Sequence, residues 1–410
     1  MAQLPSEKVK TIRKFKIKLA NLIGMENSNG EKFSIRLILI VLFFLLEQIM
    51  HFNGLYRNRK NIVNICNSMA LFSVALQLAA RLIRHIIRDD NQIVENLYTF
   101  IMKFYYREET TVNDRPVLMK NLNQSEKILR IFLFVTILTY LTPATTAWIL
   151  PFFTHEFKLF APVYLPHTEP NETFGFILNM MIMTLVSCTV TAIFMAGDAY
   201  IVFCSLQVVP MADIFVIKLD NFAKKLNNFR NETNLAQPST SKTSEEINAK
   251  FTEKEIKMIQ FNAEFIDLLK EFHDYNDYVR HLIVYAEFTF FMAIFFNSFG
   301  IGLSVIVMKF YSTPIGISYI YFMTQQVAMP CIIGTMISTQ NTKILNELSS
   351  FPYYEMSIKS QKIFLQFLLE CQNANSFNLP IFGILNMELF TDVIHGAYSY
   401  LMYVLNFVKI

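Results

Sequence analysis

With 410 residues, 53% of them hydrophobic and 40 of them phenylalanine, the chain carries more apolar surface than soluble domains of this length bury, and its mean hydropathy is +0.33. Charged residues make up 17% and the net charge is +3, too small a balance to select an anionic partner. Five scattered cysteines (Cys66, Cys188, Cys204, Cys331, Cys371) form neither a metal-ligand spacing nor a disulfide framework. The phosphate-loop, nucleophile-elbow, zincin and C-x-x-C patterns are missing too. These features point away from an enzyme, a cofactor or a metal site. Nucleic acid is excluded as a partner, because the basic residues flank apolar runs instead of forming one aromatic-interleaved patch.

Residues 1–32 read as a cytoplasmic amphipathic segment. Lys8, Lys10, Arg13, Lys14, Lys16 and Lys18 alternate with Val9, Ile12, Phe15, Leu19 and Leu22, the pattern of a short helix at a membrane surface. No signal-peptide pattern follows Met1, so the first membrane helix is expected to act as the targeting signal.

Seven apolar stretches follow, and they predict an all-α, polytopic membrane protein. The first covers about 33–52 and contains Glu47. The second, 62–87, is uncharged until Arg81. The third, 131–153, holds the single tryptophan, Trp148. The fourth runs from 174 past Asp198 towards Pro210. The fifth, 279–308, contains Glu287. The sixth, 314–338, is interrupted by Pro330, and the seventh closes the chain. Grouped by region, 33–308 holds spans one to five, 309–338 the sixth, 339–378 a cytoplasmic anchor and 379–410 the seventh.

Orientation follows from Lys and Arg. They concentrate before residue 33 and in 88–127, 209–280 and 339–379. The opposite side carries Arg57, Arg59, Lys60, Lys158, Lys309 and Lys409. The bias puts the N-terminus in the cytoplasm and the C-terminus outside. Of the three Asn-x-Ser/Thr sequons, Asn123 and Asn231 then lie inside, and Asn171 is available for glycosylation.

The inner segments are helical in pattern. Phe215, Leu219, Phe222, Leu226 and Phe229 keep a 4-3-4-3 spacing, which predicts a helical extension over about 211–230. The Ser/Thr/Asn-rich stretch 231–250 reads as a mobile loop. The pattern resumes at Met258, Phe261, Phe265, Leu268, Phe272, Tyr275, Val279 and Leu282, predicting a second extension over about 251–281 that enters the fifth span. Residues 356–371 form a third amphipathic piece. Each stripe needs a partner, within the chain or, as the sharper expectation, in a neighbouring subunit.

The closing stretch, read as a helix of about 28 residues from near Pro380, would be about 42 Å long. Asp392, Gly396, Ser399, Tyr403 and Phe407 share one of its faces. Such a stripe either lines an aqueous path or packs against neighbouring helices. A ligand site is suggested higher in the membrane by Met69 and Phe72, by Tyr140, Ala144 and Trp148, by Met180, Met183 and Thr184, and by Phe296 and Tyr319. Methionine and aromatic side chains with few polar groups suit a small apolar ligand, and they also suit an ordinary membrane core.

An N-terminus inside, and no D-R-Y or N-P-x-x-Y, argue against a G-protein-coupled receptor. The closing stretch resembles that of insect chemoreceptor channels. Ser399-Tyr400-Leu401-Met402 matches the Ser-Tyr pair that closes insect odorant receptors. Ser399-Tyr400, five residues, then Asn406-Phe407 is a variant of the gustatory receptors' Thr-Tyr and Gln-Phe frame. Glu388-Leu389-Phe390 favours the odorant branch, in a tuning subunit and not the shared co-receptor. The resemblance implies a tetrameric, odorant-gated, non-selective cation channel, passing monovalent and divalent cations, assembled with co-receptor subunits in the plasma membrane of olfactory neuron dendrites, in contact with lipid. It also implies a volatile ligand in the outer half of the membrane, Tyr403 and Phe407 at the gate, Gly396 and Ser399 in the pore wall, and Asp392 as an inner lure for cations. A gustatory receptor of the same superfamily is the alternative.

Overall fold

The computed structural model describes residues 4–23, 35–87, 90–109, 115–154, 165, 168, 173–235, 244–311 and 314–407. Eleven helices account for nearly all of them. These are α1 (Pro5–Ile23), α2 (Ile35–Arg57), α3 (Ile62–Ile87), α4 (Asp90–Glu109), α5 (Arg115–Thr154), α6 (Thr173–Leu206), α7 (Val208–Leu235), α8 (Ser244–Tyr311), α9 (Pro314–Ser349), α10 (Ile358–Gln372) and α11 (Met387–Phe407). A single 3₁₀ turn, Tyr353–Glu355, precedes α10, and a two-stranded hairpin, β1 (Asn378–Leu379) and β2 (Gly383–Ile384), precedes α11.

The apolar stretches map onto α2, α3, the second half of α5, α6, the second half of α8, the first half of α9, and α11. Among the described residues, five of these helices are long and apolar enough to cross a membrane by length and composition: α2, α3, the α6–α7 run, α8 and α9. Below the spans lies an inner layer built from α4, the first halves of α5 and α8, α7, the end of α9, and α10. At 68 residues, α8 is about 100 Å long and belongs to both layers.

The inner layer forms because its stripes meet each other. Phe215, Leu219, Phe222 and Leu226 of α7, and Phe265, Leu268, Phe272 and Tyr275 of α8, are all buried. Phe222 stacks on Phe265 and on Phe351, with centroids 6.3 and 5.7 Å apart. Phe364 of α10 stacks on Phe351 at 5.3 Å, and Phe367 meets Phe272 edge-on at 4.7 Å. Each buried Phe contributes about 1.5–3 kcal/mol. These stripes are therefore satisfied within one chain, which removes them as an argument for an oligomer. The same layer contains α4, whose mixed polar and apolar sequence gives no span and falls in the basic segment 88–127. Its Leu97, Ile101 and Tyr105 are fully buried, at a spacing of four.

Three further expectations change. The segment 231–250 was expected to be a loop, but α7 continues to Leu235 and α8 begins at Ser244. The N-terminal helix, expected at a membrane surface, has protein partners as well and docks on α4, α5 and α6. Val9 is buried, Lys8 pairs with Glu126 at 2.6 Å, and Arg13 lies 3.8 Å over the Tyr98 ring. The closing helix begins at Met387, not near Pro380, and has 21 residues. Ile381 (φ 74°) and Gly383 (φ 76°) are left-handed, a conformation no α-helix can propagate. They turn the hairpin, which pairs Asn378 with Ile384 and Leu379 with Gly383. Asn386 then caps α11, its Oδ1 accepting from Leu389 N at 2.9 Å. At about 32 Å the shortened helix still matches a bilayer.

Candidate functional site

A second apolar cluster stands apart from the main core. It is built from Met50 of α2, Phe176, Met180 and Met183 of α6, and Tyr319 of α9, with Leu46, Leu71, Trp148, Leu165 and Ile182 packed against it. Trp148 arrives from α5 and donates from Nε1 to Thr184 Oγ1 at 2.9 Å. Thr184 in turn donates to Met180 O at 2.7 Å, so the indole and the hydroxyl consume each other's polarity. What remains is a methionine and aromatic surface, adaptable in shape.

The cluster is covered by a turn that Asn179 holds. This fully buried side chain accepts from Leu165 N at 2.8 Å and is hydrogen-bonded from Nδ2 to Thr168 Oγ1 at 2.9 Å and to Gly175 O at 2.7 Å. Arg57, at the end of α2, donates to Thr168 O at 2.9 Å. Leu165 is thereby pressed onto the cluster.

Five of the ten residues expected at a ligand site come together here: Trp148, Met180, Met183, Thr184 and Tyr319. Three do not. Met69 is exposed. Phe72 meets His51 and Phe52 of α2 edge-on, at 6.3 and 5.9 Å. Phe296 packs against Phe295 at 5.3 Å, outside the cluster. On a helix each of these points about 100° away from the neighbour that would face inward, and apolarity alone does not reveal which of two adjacent residues does. Tyr140 and Ala144 lie in α5, but their side chains are outside the described set, and Asn171 is outside the described residues altogether. The sequence reading missed Met50 and Phe176. The available signal was the i, i+4 pairing of Leu46 with Met50 and of Phe176 with Met180.

Beneath the cluster the helices are joined by buried polar contacts. Arg81 of α3 reaches Asp198 of α6, Nη1 to Oδ1 at 2.6 Å, with Asp198 fully buried. Its guanidinium also lies 4.2 Å over the Phe194 ring. Gln326 of α9 stands beside the same carboxylate. Asn297 of α8 donates to Gln77 Oε1 of α3 at 2.9 Å. Gln325 of α9 donates to Thr136 Oγ1 of α5 at 3.2 Å and accepts from Thr139. Asp198 is thus a buried ion-pair partner of Arg81.

On α11, Leu389 is buried and Phe390, Val393, Ile394 and Ala397 pack against the core. Tyr400 lies against Gly302 of α8, where a Cβ would stand 3.4 Å from its ring. The foot of the helix is fastened to α9. Thr335 Oγ1 accepts from Met387 N at 2.9 Å, and Gly334 lies so close to Leu385 O that a Cβ would sit 2.1 Å from it. Asp392, Gly396, Ser399 and Tyr403 are all exposed, turned away from the packed face. Phe407 ends the helix, and its side chain is outside the described set.

The family model described as 7tm Odorant receptor matches residues 83–398. The chain belongs to the odorant receptor family. The match ends one residue before Ser399, so the family assignment is independent of the terminal frame. As an odorant receptor, this is a seven-helix membrane protein of olfaction. Its fold is that of the insect olfactory receptor OR5 from Machilis hrabei. One OR5 structure aligns with a TM-score of 0.67 at 11% identity, covering 97% of this chain and 99% of that one. A second, of OR5 in complex with eugenol, aligns with a TM-score of 0.69 at 10% identity over the same shares. No curated protein sequence matches the chain.

Proposed function

We propose that this odorant receptor is the ligand-binding subunit of an odorant-gated, non-selective cation channel, and that the apolar cluster around Trp148 is where the odorant binds. The observation that carries the proposal is the cluster itself: five expected residues from three helices, apart from the main core, with the Trp148 indole N–H paired to the Thr184 hydroxyl. The complex of OR5 with eugenol supports a small organic ligand. A ligand that fits the open state better than the closed one shifts the population by that difference in affinity.

The exposed stripe on α11 supports a pore-lining role, with Tyr403 and Phe407 as the constriction, Gly396 and Ser399 in the wall and Asp392 attracting cations. Exposed apolar residues on the inner layer, Ile256 and Ile259 of α8 and Ile358, Leu365 and Leu369 of α10, offer surface for neighbouring subunits in a tetramer with co-receptor subunits. The positive-inside bias supports a cytoplasmic N-terminus, an external C-terminus and a glycan on Asn171, with the plasma membrane of sensory dendrites as location. A glycan on Asn231 and none on Asn171 would reverse that orientation.

The test is electrical. In cells expressing the chain with a co-receptor subunit, Trp148→Ala shifts the concentration–response curve without loss of surface receptor. Asp392→Asn modestly lowers conductance or cation selectivity. Unchanged curves in the first variant return Trp148 to the core, and an unchanged pore in the second returns Asp392 to packing.

A further inference from the structure

Tyr400 belongs neither to the apolar cluster nor to the exposed stripe of α11 that includes its neighbour Ser399. It is half-buried, and its ring lies against the backbone of α8 at Gly302, where a Cβ would stand 3.4 Å from Cδ1 and 3.8 Å from Cε1. Within the same turn, the other side of α8 holds Met323 of α9. A Cβ on Gly300 would lie 2.7 Å from Met323 Sδ and 2.7 Å from Ser73 Oγ of α3. Ser304 Oγ, one turn further on, donates to the same sulfur at 3.7 Å. Residues 300 and 304 share one face of the helix, and 302 lies about 200° round from 300. A single thickness of α8 backbone therefore separates Met323 from Tyr400.

Met323 also stands at the edge of the apolar cluster. It follows Tyr319, a cluster member, by one turn on the same face of α9. Ser73 lies two residues after Leu71, which packs against the cluster. Movement between two long side chains can be taken up by a change of rotamer. That outlet is closed here. Met323 is fully buried, with its sulfur against Gly300 and Ser304, and both glycines present backbone with no side chain to yield. Close-packed interiors of this kind pass displacement on. A shift of Met323 therefore moves the α8 backbone, and Tyr400 with it.

We infer that Met323, the α8 turn from Gly300 to Ser304, and Tyr400 transmit the state of the apolar cluster to the closing helix. Tyr400 is then a positioning residue for the gate. It holds α11 to α8, so that a change at the cluster reaches Tyr403 one turn further along. This inference rests on reading the cluster as the ligand site and α11 as the pore helix. Coupling of this kind is measured by a double-variant cycle.

The test expresses the parent, Met323→Ala, Tyr400→Leu and the double variant, each with a co-receptor subunit. The compounds applied are hexyl to decyl alcohols and acetates, monoterpenes and eugenol. Maximal current is divided by surface receptor, measured by tag labelling, and the activating compounds are ranked by half-maximal concentration. Each single variant is expected to cut maximal current per receptor about threefold or more, with the ranking of compounds unchanged. The double variant is expected to lose no more than the more impaired single variant, because both break one link. Ser304→Ala, which removes the donor to the Met323 sulfur, and Tyr400→Met take the places of Met323→Ala and Tyr400→Leu if those fail to reach the surface. Undiminished maximal current in either single variant, losses that multiply in the double variant, or a reordered ranking in Met323→Ala overturns the transmission route while the ligand-site and pore proposals stand. No current from the parent with any compound, with receptor at the surface, overturns the channel proposal and this one with it.

Discussion

Replacing Asp198 with asparagine should destabilise the receptor more than replacing its partner, Arg81, with methionine. Asp198 is fully buried and its Oδ1 is 2.6 Å from Arg81 Nη1. Losing the carboxylate charge strands a guanidinium inside the protein, which costs about 3–5 kcal/mol. The Phe194 ring, 4.2 Å from that guanidinium, offsets about 1–2 kcal/mol and pulls the expectation to the low end, about 3 kcal/mol. That is a loss of about 150-fold in the folded-to-unfolded ratio. Arg81→Met strands a carboxyl instead. A stranded carboxyl can shed its charge by taking up a proton, which a guanidinium cannot do, so the expected cost is about 1–3 kcal/mol. The double variant Arg81→Met with Asp198→Leu removes both charges and should come close to the parent. Thermal stability of the tagged receptor in detergent, followed by size exclusion after heating, measures all four proteins. The reasoning fails if the two single variants are equally unstable, or if the double variant is no better than Asp198→Asn.

Other perturbations probe other contacts. Gly334→Ala should cost about 3 kcal/mol or more and largely remove receptor from the surface, since its Cβ would meet the Leu385 carbonyl at 2.1 Å. Gly302→Ala, with 3.4 Å to the Tyr400 ring, should be tolerated, and surface labelling compares the two. Asn179→Ala removes three hydrogen bonds and should loosen the turn over the apolar cluster by about 2–3 kcal/mol, read as faster hydrogen exchange at Leu165. Lys8 and Arg130 hold the Glu126 carboxyl below its ordinary value of 4.5. A carboxyl with a lowered value stabilises the docked α1 fully above 4.5, and this support is lost as pH falls through the lower, docked value. Protease release of the N-terminal segment should therefore be flat from about pH 5 to 8 and rise in more acid solution. Glu126→Gln should weaken the dependence, leaving the part carried by the Arg13–Glu95 pair between α1 and α4.

Sequence patterns carried the architecture further than the site. Length and apolarity located the spans, because a bilayer imposes both on any helix that crosses it. The 3-4 spacings of α7 and α8 were legible for the same reason, as periodicity is a property of each helix alone. What they packed against was not, since a stripe reads the same whether its partner is α10 of the same chain or another subunit. The start of α11 was hidden because Ile381 adopts a left-handed conformation that β-branched residues seldom take. Trp148 and Thr184 could be proposed as neighbours from composition. Met69 and Phe72 could not be excluded, because a one-residue rotation separates the inward face from the outward one. The buried pairs, Arg81 with Asp198 and Asn297 with Gln77, depend on helix registry, which a single sequence does not encode in any local pattern.

One helix touches both the apolar cluster and the foot of α11. Tyr319 stands in the cluster, Gly334 and Thr335 grip the residues that start α11, and Pro330 lies between them on α9. Proline has no N–H to offer the carbonyl of Gln326, so the helix is most compliant at that point. The segment from Tyr319 to Pro330 is a lever arm about 16 Å long. A change in bend of about 5° there would swing the Tyr319 ring by about 1.4 Å. Such a swing would change the distances between labels at positions 319, 334 and 396, which measure the bend at Pro330 directly.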